Sequence, residues 1–327
     1  MKAIVQTSYG HPEKVLQLQE VQTPLPKANE VQINIKVTTI NDYDWAVATG
    51  KPHLYRLMFG LFKPKKSIPG MELAGVVSNV GEQVKDFKIG DKVFGDISEH
   101  NFGSFAEYIC LSPEAIRKMP ANMDFGQAAA IPHAALLALQ AFDKVNLEEG
   151  RKVLINGGGG GVGTHGLQLA KLKNCEVTGV DSGEKLEAML KLGFDHVLDY
   201  QEENFTKTGI QYDIILDCKT NQSAFAYRRA LNPKGKYISI GGKLNRLVQL
   251  LIVGGILSKL SQRKYQILAL KANLGLERIA ELYVQNKLKP TIDGPYSLED
   301  IPRLVQYFGE GKHKGKIVID LDESRPS

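Results

Sequence analysis

The spacing of apolar residues changes along the chain and separates two kinds of secondary structure. In the first third, short runs rich in β-branched residues alternate with clusters of glycine and proline. Runs of this length between turn residues predict short strands, and their number predicts a compact β-barrel-like unit. We expect these strands at Val31–Thr39, Leu73–Val80, Lys92–Phe94 and Phe105–Leu111.

From Gln127 onward the pattern is typical of an α/β fold. The run AAAIPHAALLALQAF predicts one buried helix. After Gly150 strands and helices alternate, which indicates a parallel sheet covered by helices on both faces. We expect strands at Lys152–Asn156, Glu176–Val180, His196–Leu198, Tyr212–Asp217 and Lys236–Ile240, helices at Val162–Lys173, Gly183–Leu192 and from Asn221, then mainly helices beyond Leu247 and a last strand at Lys316–Asp320.

Length, composition and charge narrow the class of protein. A chain of 327 residues suits two domains, and 43% hydrophobic with 24% charged residues excludes global disorder. The net charge of +5 is dispersed except at 63–66, so a nucleic-acid groove is not indicated. The most apolar stretch, Leu247–Leu257, is shorter than the ~20 residues of a membrane span. We therefore expect neither a nucleic-acid nor a membrane partner.

The cysteines and the first residues bear on localisation. Cys110, Cys175 and Cys218 are few and far apart, which favours a reducing compartment over a disulfide framework. Three cysteines also exclude a zinc site built on four of them. The start, MKAIVQTSYG, lacks the apolar core of a signal peptide and the composition of a transit peptide. The expected location is the cytoplasm.

A glycine-rich segment, KVLINGGGGGVGTHGLQLAK, predicts dinucleotide binding. A strand enters, Gly158-x-Gly160-x-x-Gly163 follows, and a helix leaves. One glycine permits the reversal of the chain, a second lets the backbone approach a pyrophosphate, and a third lets helix and strand pack closely. The amides at the helix start would face the phosphates. The candidate cofactor-binding residues here are Gly158, Gly160, Gly161, Val162 and Gly163.

The second strand of the α/β region ends in the sequence VTGVDSGEK, where the adenosine ribose would be recognised. Asp181 lies about 20 residues past the turn, where a carboxylate accepts from both ribose hydroxyls of NAD(H) and repels a 2′-phosphate. Ser182 and Lys185 suit a 2′-phosphate instead. Alternatively, Lys185 is a solvated helix charge and Asp181 a helix cap. The residues alone leave the choice between NAD(H) and NADP(H) open.

Ordered motifs along essentially the whole chain resemble one family. They are YGHPEKVLQLQEVQTPLP, TTINDYDWAVATGK, IPGMELAGVVSNVG, GDKVFGD, GSFAEY, the glycine segment, GFDHVLDY, LNPKGKYISIGG and GKIVID. Together they resemble the quinone oxidoreductase (zeta-crystallin-like) branch of the medium-chain dehydrogenase/reductase superfamily. The resemblance implies an α/β protein with a GroES-like β-barrel catalytic domain (1–121, returning at 266–327) and a Rossmann cofactor-binding domain (122–265). It also implies a homodimer.

The resemblance also bears on zinc. The alcohol dehydrogenase branch has a cysteine ligand where this chain has Asn41 and a histidine ligand where it has Met71. Neither replacement is a competent zinc ligand, and Glu72 alone does not make a site. We therefore expect no metal. Without a Lewis acid, the implied reaction is hydride transfer from NAD(P)H to a quinone or an α,β-unsaturated carbonyl.

The family pattern assigns further residues. In its N-P-x-D motif, here Asn41 to Asp44, Asn41 would bind substrate oxygen or the nicotinamide ribose and Asp44 would fix the loop. Tyr43 replaces an apolar residue and either donates a proton or packs. Lys185 and Tyr200 match the pair that grips a 2′-phosphate, so NADP(H) is expected to be preferred with NAD(H) possible, although Asp181 departs from the pattern. Gly241 follows as a further cofactor-binding candidate.

Other functions remain open at this point. The chain could reduce an enoyl thioester or act like an alcohol dehydrogenase. It could also bind NADP(H) without catalysis, because relatives of zeta-crystallin have been recruited to structural and RNA-binding roles. The glycine segment together with Asn41 and Asp44 favours an enzyme.

Overall fold

The computed structural model describes residues 1–321 of the chain. The strands within them are β1 (Lys2–Gln6), β2 (Leu16–Glu20), β3 (Val31–Ile40), β4 (Glu72–Val80), β5 (Lys92–Asp96), β6 (Tyr108–Leu111), β7 (Arg117–Lys118), β8 (Lys152–Asn156), β9 (Glu176–Asp181), β10 (His196–Asp199), β11 (Tyr212–Asp217), β12 (Leu231–Ser239), β13 (Lys264–Ile267), β14 (Ile292–Tyr296) and β15 (Lys316–Asp320). The helices are α1 (Pro12–Val15), α2 (Asp42–Thr49), α3 (Arg56–Phe59), α4 (Phe125–Ala129), α5 (Pro132–Val145), α6 (Gly161–Lys171), α7 (Gly183–Leu192), α8 (Ala224–Ala230), α9 (Leu244–Gln249), α10 (Gly255–Leu260), α11 (Leu276–Val284) and α12 (Ile301–Gly309).

The chain packs into two compact units. The first unit comprises Met1–His133, Ala272–Val284 and the chain from Pro290 onward, and the second comprises Ala134–Lys271 and Gln285–Lys289. The expected domain boundaries, 121/122 and 265/266, stay predictions. In the first unit, α4 packs on β3 and β4, and the amide of Asn273 donates to the carbonyls of Asp96 and Ala115. Such contacts link segments distant in sequence.

The first unit is built on β3, which pairs with three other strands. Its ten residues hold β4 along one edge, while β6 pairs with Val31–Asn34 and β15 with Val37–Ile40 along the other. The full sheet runs β14-β15-β3-β4-β5-β7, with β6 beside β3. Apolar residues of α12 and β15 pack against β1 and β3 in one core, and a second core lies among β3, β4 and β5. This is the expected GroES-like architecture.

The second unit is a six-stranded parallel sheet in the order β10-β9-β8-β11-β12-β13. This order is that of a Rossmann dinucleotide-binding fold, and the strand sequence reverses between β8 and β11. Ligands of open α/β sheets bind at the carboxyl ends of the strands at that reversal. The expected α/β class with a Rossmann sheet is confirmed.

Several local expectations were incomplete. The strands β13 and β14 lie beyond Leu247, where mainly helices were expected before the last strand. The predicted single helix is two, because Pro132, which lacks an N–H, begins α5 and α4 ends at Ala129. The strand expected from Phe105 begins at Tyr108. The antiparallel pair β1–β2 was missed because four of the five residues of β2 are exposed, so it has no apolar run. Among residues 1–321, the helices are all too short or too polar to cross a membrane.

Candidate active site and cofactor site

Strand register in the first unit brings four charged or amide side chains together at one end of β3. Glu72 and Lys316 are the first residues of β4 and β15, and each strand pairs with the last residues of β3. Asp96 ends β5 and lies directly opposite Glu72. Asn41 follows β3 and is the N-cap of α2. All four side chains are buried, so each needs partners within the protein.

The amide of Asn41 is oriented by charged neighbours. The ammonium of Lys316 donates to its Oδ1 and also to Oε2 of Glu72, the latter at 2.5 Å. The Nδ2 of Asn41 donates to Oε2 of Glu72 at 2.8 Å and to Oγ1 of Thr39 at 3.2 Å. Both amide hydrogens are therefore used, and Oδ1 accepts from Lys316 and takes part in the capping box of α2 with the backbone N–H of Asp44. Asn41 has no hydrogen left to donate to a substrate oxygen, so its side chain can act toward a ligand only as an acceptor.

A buried histidine extends this cluster. The Nδ1 of His133 lies 2.7 Å from Asp96, its Nε2 lies 3.4 Å from Asp42, and its backbone N–H donates to Glu72 at 2.5 Å. Burial alone would lower the pKa of His133, but the charge of Asp96 and the bonds with both carboxylates raise it to about 10. The ring is therefore an imidazolium at neutral pH, held between a buried carboxylate and the half-exposed one of Asp42.

Tyr43 lies among aromatic rings. Its ring contacts the edges of Tyr55, Phe59 and Phe102 at centroid separations of 5.9–6.3 Å, and it approaches the ring of His133. Burial, followed by the charge of Asp42, raises the pKa of Tyr43 to about 12. At neutral pH the phenol stays protonated and packs in this aromatic group.

Asp44 caps the loop between β3 and α2. One of its carboxylate oxygens accepts the N–H of Asn41 at 2.8 Å, and the other accepts the N–H of Gly70 at 3.1 Å. Burial raises the pKa of Asp44 to about 8, although the backbone bond from Asn41 opposes this shift. Because both oxygens are bonded inside the protein, the side chain holds Asn41 and Gly70 in place.

In the second unit, the glycines of the glycine segment have different structural roles. Gly157 has a φ of +96°, which L side chains rarely adopt, and with Gly158 it donates N–H groups to the carbonyl of Val180. A Cβ on Gly163 would lie 2.4 Å from the carbonyl oxygens of Gly157 and Gly158. Gly160 is the N-cap of α6 with an ordinary φ of −85°. The N–H groups at the start of α6, on Gly161 and Val162, have no acceptor within the helix and suit a phosphate.

Asp181 and Lys185 form a buried ion pair over this turn. One oxygen of Asp181 accepts the N–H of Gly159 at 2.9 Å, the other accepts that of Ser182, and the ammonium of Lys185 lies 3.2 Å away. A Cβ on Gly159 would lie 2.8 Å from Cδ of Lys185, so the lysine covers the turn. The carboxylate is therefore both neutralised and bonded. The side chain of Tyr200 is half-exposed beside this pair, and its N–H bonds to the carbonyl of Asp181.

Polar residues at the carboxyl ends of β8 and β11 complete the edge of the sheet. Asn156 donates to Asp217 at 2.8 Å, and Asp217 also accepts the hydroxyl of Tyr237 and two backbone N–H groups. The carbonyl of Gly241 accepts hydroxyls from Thr220 and Ser239, which fixes the loop after β12. A cavity of about 120 Å³ opens at this edge, lined by Asn156, Tyr200, Glu203, Asn204, Phe205, Asn221 and Gln222.

Known proteins resemble this chain along almost its whole length. Residues 27–121 match the alcohol dehydrogenase GroES-like domain and residues 192–319 match the zinc-binding dehydrogenase family. The chain is 31% identical to the chloroplast envelope quinone oxidoreductase homolog of Arabidopsis thaliana, over 98% of both proteins. It is 30% identical to 2-methylene-furan-3-one reductase of Solanum lycopersicum, over 98% of this chain and 79% of that one.

The chain is a member of the quinone oxidoreductase branch of the medium-chain dehydrogenase/reductase superfamily. A chloroplastic NADPH-dependent alkenal/one oxidoreductase of Arabidopsis thaliana is 28% identical, over 98% of this chain and 79% of that one. The solved structure of the quinone oxidoreductase from Coxiella burnetii has a TM-score of 0.85 and 27% identity, covering 98% of this chain and 99% of that one.

One matching family is described as zinc-binding, but the residues of this quinone oxidoreductase-like chain do not fit a zinc ion. The ammonium of Lys316 occupies the space between Oδ1 of Asn41 and Oε2 of Glu72, and a second cation there would be repelled. The side chain of Met71 is fully buried, and a thioether is a poor zinc ligand. Within residues 1–321, no group of three histidine, cysteine or acidic side chains could hold a metal.

Several residues of these sites were missed from the sequence. Lys316 and Glu72 lie 244 positions apart, and Asp96 and His133 lie 37 apart, so spacing alone gives no signal for either pair. The replacement of proline by Asp42 in the N-P-x-D motif was a detectable signal. An acid at that position requires a partner if it is partly buried, and His133 is that partner.

Proposed function

We propose that this protein transfers hydride from NAD(P)H to a quinone or an α,β-unsaturated carbonyl, without zinc. The proposal agrees with the printed names of its relatives, which include quinone oxidoreductases and an alkenal/one oxidoreductase. A Rossmann sheet with a glycine turn at its strand reversal supports binding of the dinucleotide.

One observation carries the choice of acceptor: the ammonium of Lys316 bonds to Asn41, which stands at a zinc-ligand position of the alcohol dehydrogenase branch, and to the neighbouring Glu72. An ammonium held by Asn41 and Glu72 cannot coordinate an alcohol oxygen or generate an alkoxide. A quinone or an enone needs neither, because its own conjugation carries the incoming charge to oxygen. The bound cofactor supplies the hydride, and the protein supplies orientation and exclusion of water.

We assign roles to the residues around Asn41 accordingly. The side chain of Asn41 has no hydrogen to donate, so as an acceptor it suits a hydroxyl of the nicotinamide ribose better than a substrate carbonyl. Lys316 fixes the orientation of that amide, and Asp44 fixes its backbone. Tyr43 contributes an apolar wall with a protonated hydroxyl. Asn41 is thus the binding residue, while Lys316 and Asp44 are positioning residues.

We propose NADP(H) as the preferred cofactor, with NAD(H) also accepted. Ser182 follows β9, Lys185 lies in the first turn of α7, and Tyr200 follows the neighbouring strand β10 with its N–H bonded to the carbonyl of Asp181. A 2′-phosphate would be recognised at this end of β9. The ion pair with Asp181 supports a modest preference, because Lys185 must leave one anion to meet another. A relative's name, which includes NADPH dependence, points the same way.

We further propose that the protein is a cytoplasmic homodimer. The outer edge of β13 ends the six-stranded sheet, and an edge strand can pair with a second copy. The three cysteines are all free, which suits a reducing compartment. Light scattering would give twice the chain mass of 36.1 kDa for the dimer, and imaging of a tagged chain would report its location.

The proposed activity is tested by oxidation of NADPH and NADH against a panel of acceptors. We expect NAD(P)H oxidation with quinones, enals or enones. We expect no reduction of NADP⁺ or NAD⁺ by simple alcohols. An enoyl thioester in the panel tests the related reductase chemistry. Cofactor binding without turnover of any acceptor would contradict the proposal and favour a non-catalytic NADP(H)-binding protein.

A further inference from the structure

A long stretch of the chain, most of it in the second unit, carries only positive charges. Residues 218–276 contain eleven lysines and arginines and no acid, although the chain has 36 acids in total. Within it, residues 243–264, which we call the basic helical segment, hold five of these charges: Lys243, Arg246, Lys259, Arg263 and Lys264. Arg263 is bonded to the carbonyl of Leu231, while the three lysines are exposed. Exposed lysines on a stretch of sequence without acids favour an anionic partner.

The basic helical segment is apolar on two faces. Helices α9 and α10 are joined by a π-helical turn, Leu250–Gly254, into one continuous helical stretch. One face anchors it, because Leu250 and Leu257 are buried in the core of the second unit. The other face exposes large aliphatic side chains, from 46% to 78% of each: Val248, Leu251, Ile252, Ile256 and Leu260. An amphipathic helix normally turns a polar face to water, so this second apolar face requires a partner.

Charge and composition distinguish among possible partners. A two-fold interface built on α9 and α10 would set the same patch against itself and bring Lys243 and Lys259 against their own equivalents. Protein interfaces are also enriched in aromatic residues and methionine, and residues 243–264 contain neither. Aliphatic side chains flanked by lysines instead suit a fluid apolar phase beneath a negative surface.

We propose that the basic helical segment docks the protein on the surface of an anionic lipid bilayer. The aliphatic side chains from Val248 to Leu260 would enter the boundary between headgroups and acyl chains, while the lysines would contact lipid phosphates. The segment would lie in the plane of the membrane, since its helices are too short to cross it. The proposal departs from the sequence-based expectation of no membrane partner, which rests on the shortness of the apolar stretch Leu247–Leu257. This inference does not depend on the proposed activity.

The test uses the full-length protein and sedimentation with lipid vesicles. One set contains phosphatidylcholine alone, and the other contains equal parts of phosphatidylcholine and phosphatidylglycerol. We expect binding to the anionic vesicles only, weakened at high salt. The triple variants L251Q/I252Q/I256Q and K243Q/K259Q/K264Q should each lower the partition coefficient at least ten-fold. The control I210Q changes an equally exposed isoleucine outside the segment and should leave binding unchanged.

Three results would overturn the proposal. The first is an absence of binding to anionic vesicles by the wild type, and the second is equal binding to both vesicle types. The third is a triple aliphatic variant that still binds lipid while its mass falls from dimer to monomer, which would assign this face to a second copy. Unchanged thermal unfolding and NADPH fluorescence titration would show that each variant is folded, independently of the acceptor panel.

Discussion

Hydrogen bonds join the buried side chains of Asn41, Glu72 and Lys316. Because these side chains are buried, removal of one of them should lower the stability of the protein. Glu72 is fully buried and accepts hydrogen bonds from Thr39, Asn41, Lys316 and the backbone of His133. Its carboxylate charge is compensated by the ammonium. A buried pair of this kind adds little stability over an apolar pair, but an unpaired remnant is costly.

Replacement of Lys316 by methionine should destabilise the protein strongly. The change leaves the carboxylate of Glu72 buried without its cation, which costs about 3–5 kcal/mol in comparable cases. Urea denaturation would measure the free energy of unfolding. The double variant K316M/E72Q removes both charges and should recover much of that loss. If K316M is as stable as the wild type, the ion pair described here does not exist in solution.

The stability of the protein should depend on pH through His133. Its pKa is raised from 6.5 to about 10 in the folded state, so its contribution is complete below pH 6.5 and is lost as the pH rises toward 10. The variant H133Q lacks this titration. The melting temperature of the wild type should therefore exceed that of H133Q most at pH 6, with the difference shrinking toward pH 10. A difference that is constant over this range would show that the ring is not charged.

Cofactor choice should respond in opposite directions to two substitutions at the end of β9. The variant K185A removes the ammonium and should lower the ratio of kcat/KM for NADPH over NADH about ten-fold, since a charge-assisted bond contributes ~1.5–3 kcal/mol. The variant D181N removes the competing charge and keeps an oxygen for the N–H of Gly159, so the ratio should rise. An unchanged ratio in K185A would make Asp181 the dominant ribose ligand.

The turn between β8 and α6 shows how a short element assigns different tasks to successive glycines. The left-handed conformation belongs to Gly157, whereas Gly158 and Gly163 are required by close packing. A side chain at Gly158 would meet Cε of Met189 at 2.7 Å. The backbone of Gly160 does not require glycine, since its φ of −85° suits any residue. The absence of a side chain at Gly160 therefore leaves space for a ligand to approach the start of α6.

Two substitutions in this turn should separate binding from folding. The variant G160V should unfold at nearly the wild-type temperature but bind NADPH at least ten-fold more weakly, because its side chain fills the pyrophosphate position. The variant G163A should lower the melting temperature, because its Cβ would collide with backbone oxygens. Fluorescence titration and thermal unfolding report the two effects. Normal NADPH affinity in G160V would mean that the turn has only a structural task.

The central strands of the second unit could be predicted because their apolar runs are buried in a parallel sheet, and Lys152–Asn156 was predicted to the residue. The helix Gly183–Leu192 was also predicted to the residue, whereas β13 was missed because mainly helices were expected beyond Leu247. The strand β2 was missed because an exposed strand has no apolar run. The break at Pro132 was missed because the apolar run continues through it. In the site, Asn41 was indicated by its motif. The partners of Asn41 depend on strand register, which no local pattern reveals.

The chain as a whole distributes charge unevenly, and its modest net charge conceals this. All 36 acids lie outside residues 218–276. In that remaining part of the chain, acids outnumber lysines and arginines. A single positive charge is also placed locally at Asn41 and Glu72, where the ammonium of Lys316 supplies it. Both features follow from residue placement rather than from overall composition.

The purified protein should carry no stoichiometric zinc and should keep its activity in a chelator. The reason is that Lys316 already satisfies Asn41 and Glu72. Elemental analysis and acceptor assays before and after chelation would test this. Stoichiometric zinc together with activity that chelation abolishes and zinc restores would contradict it.

The strand that delivers Lys316 is the last one of the described chain, and this has a consequence during synthesis. Asn41 and Glu72 leave the ribosome roughly 240–280 residues before their cation does. Most of the second unit, Ala134–Lys271, is contiguous and emerges in between. The first unit therefore cannot complete this ion pair, or add β15 to its sheet, until the contiguous part of the second unit has been synthesised. A ribosome stalled before codon 316 would hold a complete Rossmann sheet, while Asn41 and Glu72 would still lack their cation.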